Sequence, residues 1–394
     1  MSLAARLDRL RAAAGRPVVD GIDRLPSTSD VVGAGERLPT GTDGLARDLG
    51  MERLGEALLC RRVEVRLEGG IYTPTAMTTL PEVCDLETAD WLYVDTETTG
   101  LSGGVGNLAF MVGAARLRDP RTLELRQYLL AGFAAERRML QAFSNWVGPR
   151  AVLVSYNGKC FDLPLLLARC RIHRVDHALA GLRHLDLMYG VRRAFRRSWP
   201  DCRLQTAERR LLGLQRVDDM PGAAAPAAWQ AWLRNGSSEG LAGVLRHNHQ
   251  DVVSLALLHR RLATIYDGGA PAAADIPAIG RAWCMAGEEV RARRLMARAA
   301  GTLDEDGQLQ LAALHRRAGD WDRAEAVWRS LSASGSRRAA SELSKYYEHR
   351  RRDYHRALAY AYRCDDVERE VRRARLQRKL GGNLCLPFVD GVNP

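Results

Sequence analysis

The sequence predicts an α/β domain followed by an all-α module. Three observations carry this. From residue 91, apolar runs of strand length (WLYVDT, NLAFMVGAARL, LELRQYLL) follow one another across short polar or glycine-rich breaks, as in an antiparallel meander. Helix-period segments at 133–147 and FDLPLLLARCRI then flank a further apolar run, AVLVSYN, which is the alternation of an α/β fold. After GGAPAAADIP at 268–277 the strand patterning stops and only helical segments remain. A chain of 394 residues exceeds the usual single-domain size. The expected division is a partly flexible lead-in over 1–85, an α/β domain over 86–266 and helical repeats over 275–380.

In the lead-in, a Gly/Pro/Ser/Thr/Asp stretch at 21–44 precedes an expected helix near 44–58 and a strand or two after it. Eight cysteines with no CxxC spacing argue for reduced thiols rather than a disulfide framework. No stretch supplies 18 uncharged apolar residues and the start has no apolar signal region, so the expectation is a cytoplasmic protein with no membrane partner. A formal charge of +11 favours an anionic partner, nucleic acid first.

The chemistry starts in WLYVDTETTGL. A strand alternates its faces, so Asp95 and Glu97 point the same way, about 7 Å apart at roughly 3.3 Å per residue. Two carboxylates side by side repel, and oxygen-only ligands suit a hard cation such as Mg²⁺ or Mn²⁺. The same pattern also describes a solvated strand end, so other acids must decide. Asp162 opens the helical FDLPLLL just past a strand end, with Asn157 five residues earlier in turn chemistry. In LRHNHQDVVSLALLHRRL, helical spacing puts His247 and Asp251 on one face while Val252, Leu255 and Leu258 turn to a core.

DTETTG at 95–100, N-x-x-x-F-D at 157–162 and H-N-x-x-D at 247–251 resemble, in order and spacing, the three exonuclease motifs of the DEDD branch of the ribonuclease H-like superfamily. More narrowly, DTETTGLSGGVGN, HLDL at 184–187, CRLQTAE at 202–208, RVDDMPG at 216–222 and HNHQDVVSL at 247–255 resemble the YprB-like family of ribonuclease H-like exonucleases. The resemblance covers residues 85–265. It implies a mixed five-stranded sheet flanked by helices and a 3'-to-5' exonuclease using two Mg²⁺ or Mn²⁺ ions, with Asp95, Glu97, Asp162 and Asp251 as ligands. It further implies His247 at the attacking water, Thr98, Thr99, Gly100 and Leu101 against the terminal nucleotide, and Asn157 supporting substrate or metal. One departure is visible: the superfamily offers a Tyr four residues before the last Asp or a His five before it, whereas here His247 sits four before and Arg246 five before. His249 is the neighbouring alternative, although i, i+2 residues face differently on a helix. Asp186 in HLDL reads as structural.

Phosphodiester hydrolysis needs a nucleophile at neutral pH and a place for charge on the leaving oxygen, and two cations supply both. A phosphatase-type D-x-D reading fails because Glu97 stands where a second Asp is needed. From Arg183 to Arg216 nine arginines stand against three acids, with Phe195 and Trp199 interleaved, so Arg192, Arg193, Arg196 and Arg197 are candidates to grip single-stranded phosphates while the aromatics meet bases. In the C-terminal part AGEEVRA, AGDWDRA and RRDYHRA recur, their last alanines stepping by 32 and 33 residues. That period resembles tetratricopeptide pairs and offers a surface for a protein partner. A structure-selective endonuclease using the same site, and a non-catalytic scaffold working through the repeats, are the competing readings.

Overall fold

The computed structural model describes residues 41–67, 73–100, 106–217, 219–364 and 369–381. Seven strands form one sheet: β1 Glu52–Arg53, β2 Leu58–Arg66, β3 Asp90–Thr98, β4 Ala109–Asp119, β5 Thr122–Leu130, β6 Ala151–Ser155 and β7 Arg183–Asp186. Their order is β1-β2-β5-β4-β3-β6-β7. β3, β4 and β5 form the expected antiparallel meander, and β6 and β7 continue the sheet in parallel on the other side of β3. These are the five expected strands with a mixed pattern, flanked by helices.

The two further strands come from the segment expected as a lead-in. β2 pairs with β5 along its whole length, from Leu58 opposite Leu130 to Arg66 opposite Thr122, so the sheet is wider than the five strands expected. The helix expected over 44–58 ends early, at Thr42–Asp48. Gly50 takes a left-handed conformation (φ 60°), its N–H donates to the Arg47 carbonyl and the Met51 N–H donates to the Ala46 carbonyl. This double closure terminates a helix at a glycine that only loosely interrupts the apolar period. Residues 52–58, helical by composition, instead form β1 and lead into β2, which closes on the edge of β5.

The site lies where β3 ends. The long helix Leu241–Tyr266 crosses there: Leu241, Val244 and Leu245 belong to one hydrophobic core, Val252, Leu255 and Leu258 to the other. Residues 247–251 are therefore held between two packed ends. The helix Ala225–Asn235 covers the sheet nearby, with Trp229 stacked on Phe110 (5.1 Å between centroids) and its Nε1 donating to the Leu130 carbonyl at 2.7 Å.

Beyond residue 275 the chain is helical, in successive pairs: Ile276–Met285 with Glu289–Arg298, Glu305–Arg317 with Trp321–Ala333, and Arg337–Tyr346 with Tyr354–Ala361, then Arg369–Lys379. The periodic alanines Ala292, Ala324 and Ala357 are fully buried. Asp320 and Asp353 cap the second helix of their pairs through Arg323 N and Arg356 N. The first pair joins the α/β part through Trp283, whose indole donates to the Tyr266 carbonyl at 3.1 Å. No described helix is long and apolar enough to cross a membrane, and the described cysteines are all free thiols.

Trp229 fills the covered face and satisfies a strand-end carbonyl. Trp229→Ala is expected to cost about 3–5 kcal/mol, read as the shift of a urea unfolding curve followed by circular dichroism. A loss under about 1 kcal/mol would contradict that packing role.

Candidate active site

β3 delivers Asp95 opposite Gly113 and Glu97 opposite Met111, and the register slips immediately afterwards, between Glu97 and Thr98. A bulge at that point turns the chain out of the ladder and leaves both carboxylates at the sheet's rim. Glu97 is buried, at 8 % exposure. Asp162 is the first residue of the helix Asp162–His173, and its carboxylate accepts a hydrogen bond from Thr96 Oγ1 on β3. Asp251 and His247 come from Leu241–Tyr266, one turn apart, with His247 Nε2 3.6 Å from Asp251 Oδ2.

Asp95 is held from behind. Asn248 Nδ2 donates to Asp95 Oδ2 at 3.0 Å and to the Asp95 carbonyl at 3.2 Å, while Asn248 Oδ1 accepts from Gln127 Nε2 at 3.0 Å. Gln127 also donates to the Leu245 carbonyl at 2.9 Å. Both amides are fully buried, so each bond lacks a water alternative. Gly113 makes the room: a Cβ there would stand 2.0 Å from Asn248 Oδ1.

The other side is organised by Arg216. Its guanidinium donates to both oxygens of the buried Glu208 at 2.7 Å, to Asp219 Oδ2 at 3.0 Å and to Asp251 Oδ1. Asp219 Oδ1 in turn lies 2.7 Å from His247 Nδ1. The result is a chain Glu208–Arg216–Asp219–His247 closing on Asp251. Burial disfavours the Arg216 charge, but Glu208, Asp251 and Asp219 more than offset it and hold the group firmly cationic.

The electrostatics follow from crowding. Burial first, then Asp251, Asp162 and Glu97, push the Asp95 carboxyl well above its usual range. Glu97 is pushed up to about 8 by burial, with Asp251 and Asp162 adding to it and His247 opposing. Burial also raises Asp162 against the Thr96 hydrogen bond, and raises Asp251 against Arg216 and His247. Burial would lower His247, yet Asp251, Asp219 and Glu97 outweigh it and raise the imidazole. So the four predicted acids and His247 sense one another as a single cluster. His249 does not join it; burial and then Arg61 lower its imidazole, and its Nδ1 is buried without a partner. Among the described residues no three His, Cys, Asp or Glu side chains stand ready as a coordination sphere. The reason is visible in the contacts: Asp95 faces Asn248, Asp162 faces Thr96 and Asp251 faces Arg216.

The remaining candidates divide. Thr98 Oγ1 donates to the Gly100 carbonyl at 3.0 Å, and Thr99 Oγ1 accepts from Leu108 N at 3.1 Å, so this turn closes back on the start of β4. Leu101 lies outside the described residues. Asn157 has φ 67° and its N–H donates to Asp186 Oδ1 at 2.8 Å; Asp186 also accepts from Lys159 N and Met188 N, a structural clamp as expected. Arg192 and Arg196 are exposed. Arg193 is spent on Glu82 and Tyr266, and Arg197 lies 3.5 Å from Asp275. Phe195 and Trp199 are buried and stacked on each other at 4.2 Å, so the expectation that they meet bases is corrected: they are core. Arg216, Asp219, Glu208, Asn248, Gln127 and Gly113 were not singled out from sequence. Of these, Glu208, Arg216 and Asp219 sit in CRLQTAE and RVDDMPG, whose mixed charges between the second and third motifs were the available signal.

In comparison with known proteins, residues 92–263 match a family profile described as the RNase_H superfamily. The uncharacterized protein YprB of Bacillus subtilis (strain 168) is 33% identical over 310 residues, covering 73% of this chain and 74% of that protein. Among solved structures, the family B DNA polymerase from the hyperthermophilic archaeon Pyrobaculum calidifontis aligns with 19% identity and a TM-score of 0.36, over 52% of this chain and 29% of that one. The chain thus spans under a third of that polymerase's length.

In metal-free protein the folded state keeps a proton on Glu97 that the unfolded chain sheds, so stability should fall as pH rises from about 4.5 to about 8. The slope is at most about 1.4 kcal/mol per pH unit for one such group. Asp95→Asn, which removes one of the repelling charges, is expected to melt higher than the parent at pH 8 in EDTA and to show a shallower decline. Identical melting profiles across this range would refute the crowding.

Proposed function

The chain belongs to the ribonuclease H-like family that includes YprB, and from that premise we propose that it is a divalent-metal-dependent nuclease, acting as a 3'-to-5' exonuclease on nucleic acid. The observation that carries this reading is the acidic cluster: carboxylates from a strand end and two helices are gathered where each raises or depends on the charge of the others. Such a site is unfavourable without compensating positive charge. Its all-oxygen donor set fits hard cations such as Mg²⁺ or Mn²⁺, and Asp95, Glu97, Asp162 and Asp251 are the residues assigned to hold two of them. When bound, the ions supply a nucleophilic water at neutral pH and charge neutralisation at the leaving oxygen.

The chain's own groups then divide the work. Asp219 fixes the orientation of His247 through Nδ1, which leaves Nε2 facing the cluster to orient or take a proton from the attacking water. Asn248 and Gln127 keep Asp95 from turning away. Thr98, Thr99, Gly100 and Leu101 are assigned to the terminal nucleotide and Asn157 to support of substrate or metal. Arg192 and Arg196, exposed beside the α/β domain, are the stronger phosphate contacts of the four arginines considered; Arg193 and Arg197 are already paired. The divisions 86–266 and 275–380 are read as a nuclease domain and a tetratricopeptide-like array that docks a protein partner, the buried periodic alanines supporting the repeat.

Purified protein incubated with 3'- and 5'-labelled single-stranded RNA and DNA in Mn²⁺ or Mg²⁺ is expected to shorten one of them from its 3' end. Asp95→Ala and Asp251→Ala should each lose at least about 10²-fold in rate, the scale of removing one electrostatic catalytic group. A substrate with a blocked 3' end should survive; internal cleavage of it would assign an endonuclease instead. No cleavage of either nucleic acid, or equal cleavage by the variants, would remove the enzyme reading. Mn²⁺ should raise the melting temperature of the parent at pH 8 and leave Asp95→Ala nearly unmoved.

A further inference from the structure

A cavity of about 390 Å³ opens beside the acidic cluster, between β2, the loop around residue 217 and the helix Leu241–Tyr266. Arg216 and Asp219 form the shared wall, since both line the cavity and both contact members of the cluster. The rest of the polar lining is Arg61 from β2, Gln215 beside Arg216, and Arg246, His249 and Gln250 from the helix. Asp219 is the one carboxylate among the described lining residues, and Arg216 and His247 already engage it.

Arg61 and Arg246 have no carboxylate at ion-pairing distance among the described residues; Arg61 makes only a long contact, 3.5 Å, to Gln127 Oε1. The cavity thus gathers the positive charge of Arg61 and Arg246 from two separate elements, while its one described carboxylate, Asp219, is already engaged. Guanidinium groups match phosphate oxygens in fork geometry, and a volume in the range of ligand sites holds a nucleotide unit rather than a bare ion. The neighbourhood narrows the ligand further. A polyanion approaching four carboxylates meets repulsion at every phosphate except the one that the cluster's cations would serve, so the adjacent phosphate needs its own counter-charge.

We propose that this cavity is a phosphate subsite for the substrate chain, in which Arg61 and Arg246 together grip the backbone phosphate next to the scissile one. The subsite rests on the nuclease reading for its ligand. It also gives β2, which lies outside the five-stranded core, a role at the site.

The test is equilibrium binding of a labelled single-stranded oligonucleotide, of the type the parent cuts best or of each type if it cuts none, to the Asp95→Asn protein in Ca²⁺. Arg61→Ala, Arg246→Ala and the double variant are compared on that background. Each single change is expected to weaken binding about tenfold, or about 1.4 kcal/mol, and to lower the slope of log K against log salt by about 0.7. Because both groups hold one phosphate, the double variant should lose clearly less than the hundredfold product, and Arg→Lys at either position should recover part of the loss. Binding within twofold of the background protein in both single variants overturns the subsite. So does a fully multiplicative double loss, which marks two independent surface charges, and so does failure of the background protein to bind at all. The assay needs no cleavage: binding through these arginines by a parent that cuts nothing removes the nuclease reading and keeps the subsite, whereas cleavage with unaffected binding removes the subsite alone.

Discussion

The structure around the site depends on one constraint, the crowding of four carboxyl groups contributed by one strand end and two helices. Two unit charges about 4 Å apart repel by about 4 kcal/mol at an effective dielectric near 20, so a cluster of this size exists only against opposing positive charge, protonation or a rigid frame. This protein uses all three. Glu97 and Asp95 keep protons far above the usual carboxylate range, Arg216 and the raised imidazole of His247 bring positive charge, and packed elements prevent the acids from spreading apart.

The frame is specific about which residue it restrains. Asp95 belongs to an interior strand of the sheet and cannot move with a loop, and Asn248 ties it to the crossing helix through a bond that Gln127 completes from β5. Three elements are thereby joined through two buried amides, and Gly113 on the intervening strand leaves space for them. On the opposite side Glu208 is the anchor: it accepts both arms of Arg216 and is itself almost fully buried, so the loop that carries Arg216 and Asp219 is pinned to the site. Buried ion pairs cost desolvation and seldom stabilise a fold by themselves. Their use here is positional, keeping the imidazole and the last carboxylate in register with the strand.

The helical region is built on another principle, repetition. Each pair buries a small alanine where a larger residue would hold the helices apart, and an aspartate caps the second helix of the later two pairs. Trp283 and the Asp275 N–H bond to the Ala194 carbonyl couple the first pair to the α/β part. The helices thus continue the fold from the end of the helix that carries His247 and Asp251.

The sequence by itself determined the elements that local pattern controls: the meander of β3, β4 and β5, the alternating helices and the helical C-terminal part with its alanine period; the expected grouping of Asp95, Glu97, Asp162 and Asp251 with His247 came from the resemblance of three motifs to the DEDD exonucleases. Period and motif spacing are local quantities, readable from neighbours in the chain. Tertiary structure alone decided the rest. β2 joined this sheet because β5 offered it an unpaired edge; alternation can mark a strand after residue 58 but does not name its partner. Phe195 and Trp199 looked available for bases until packing buried them against each other. Arg216 is ordinary among many arginines in the chain; it became the cation of the site because Glu208 and Asp251, from other elements, and Asp219, from its own loop, converge on its guanidinium. Charge compensation is set by distances in space, and those the chain fixes only once it is folded.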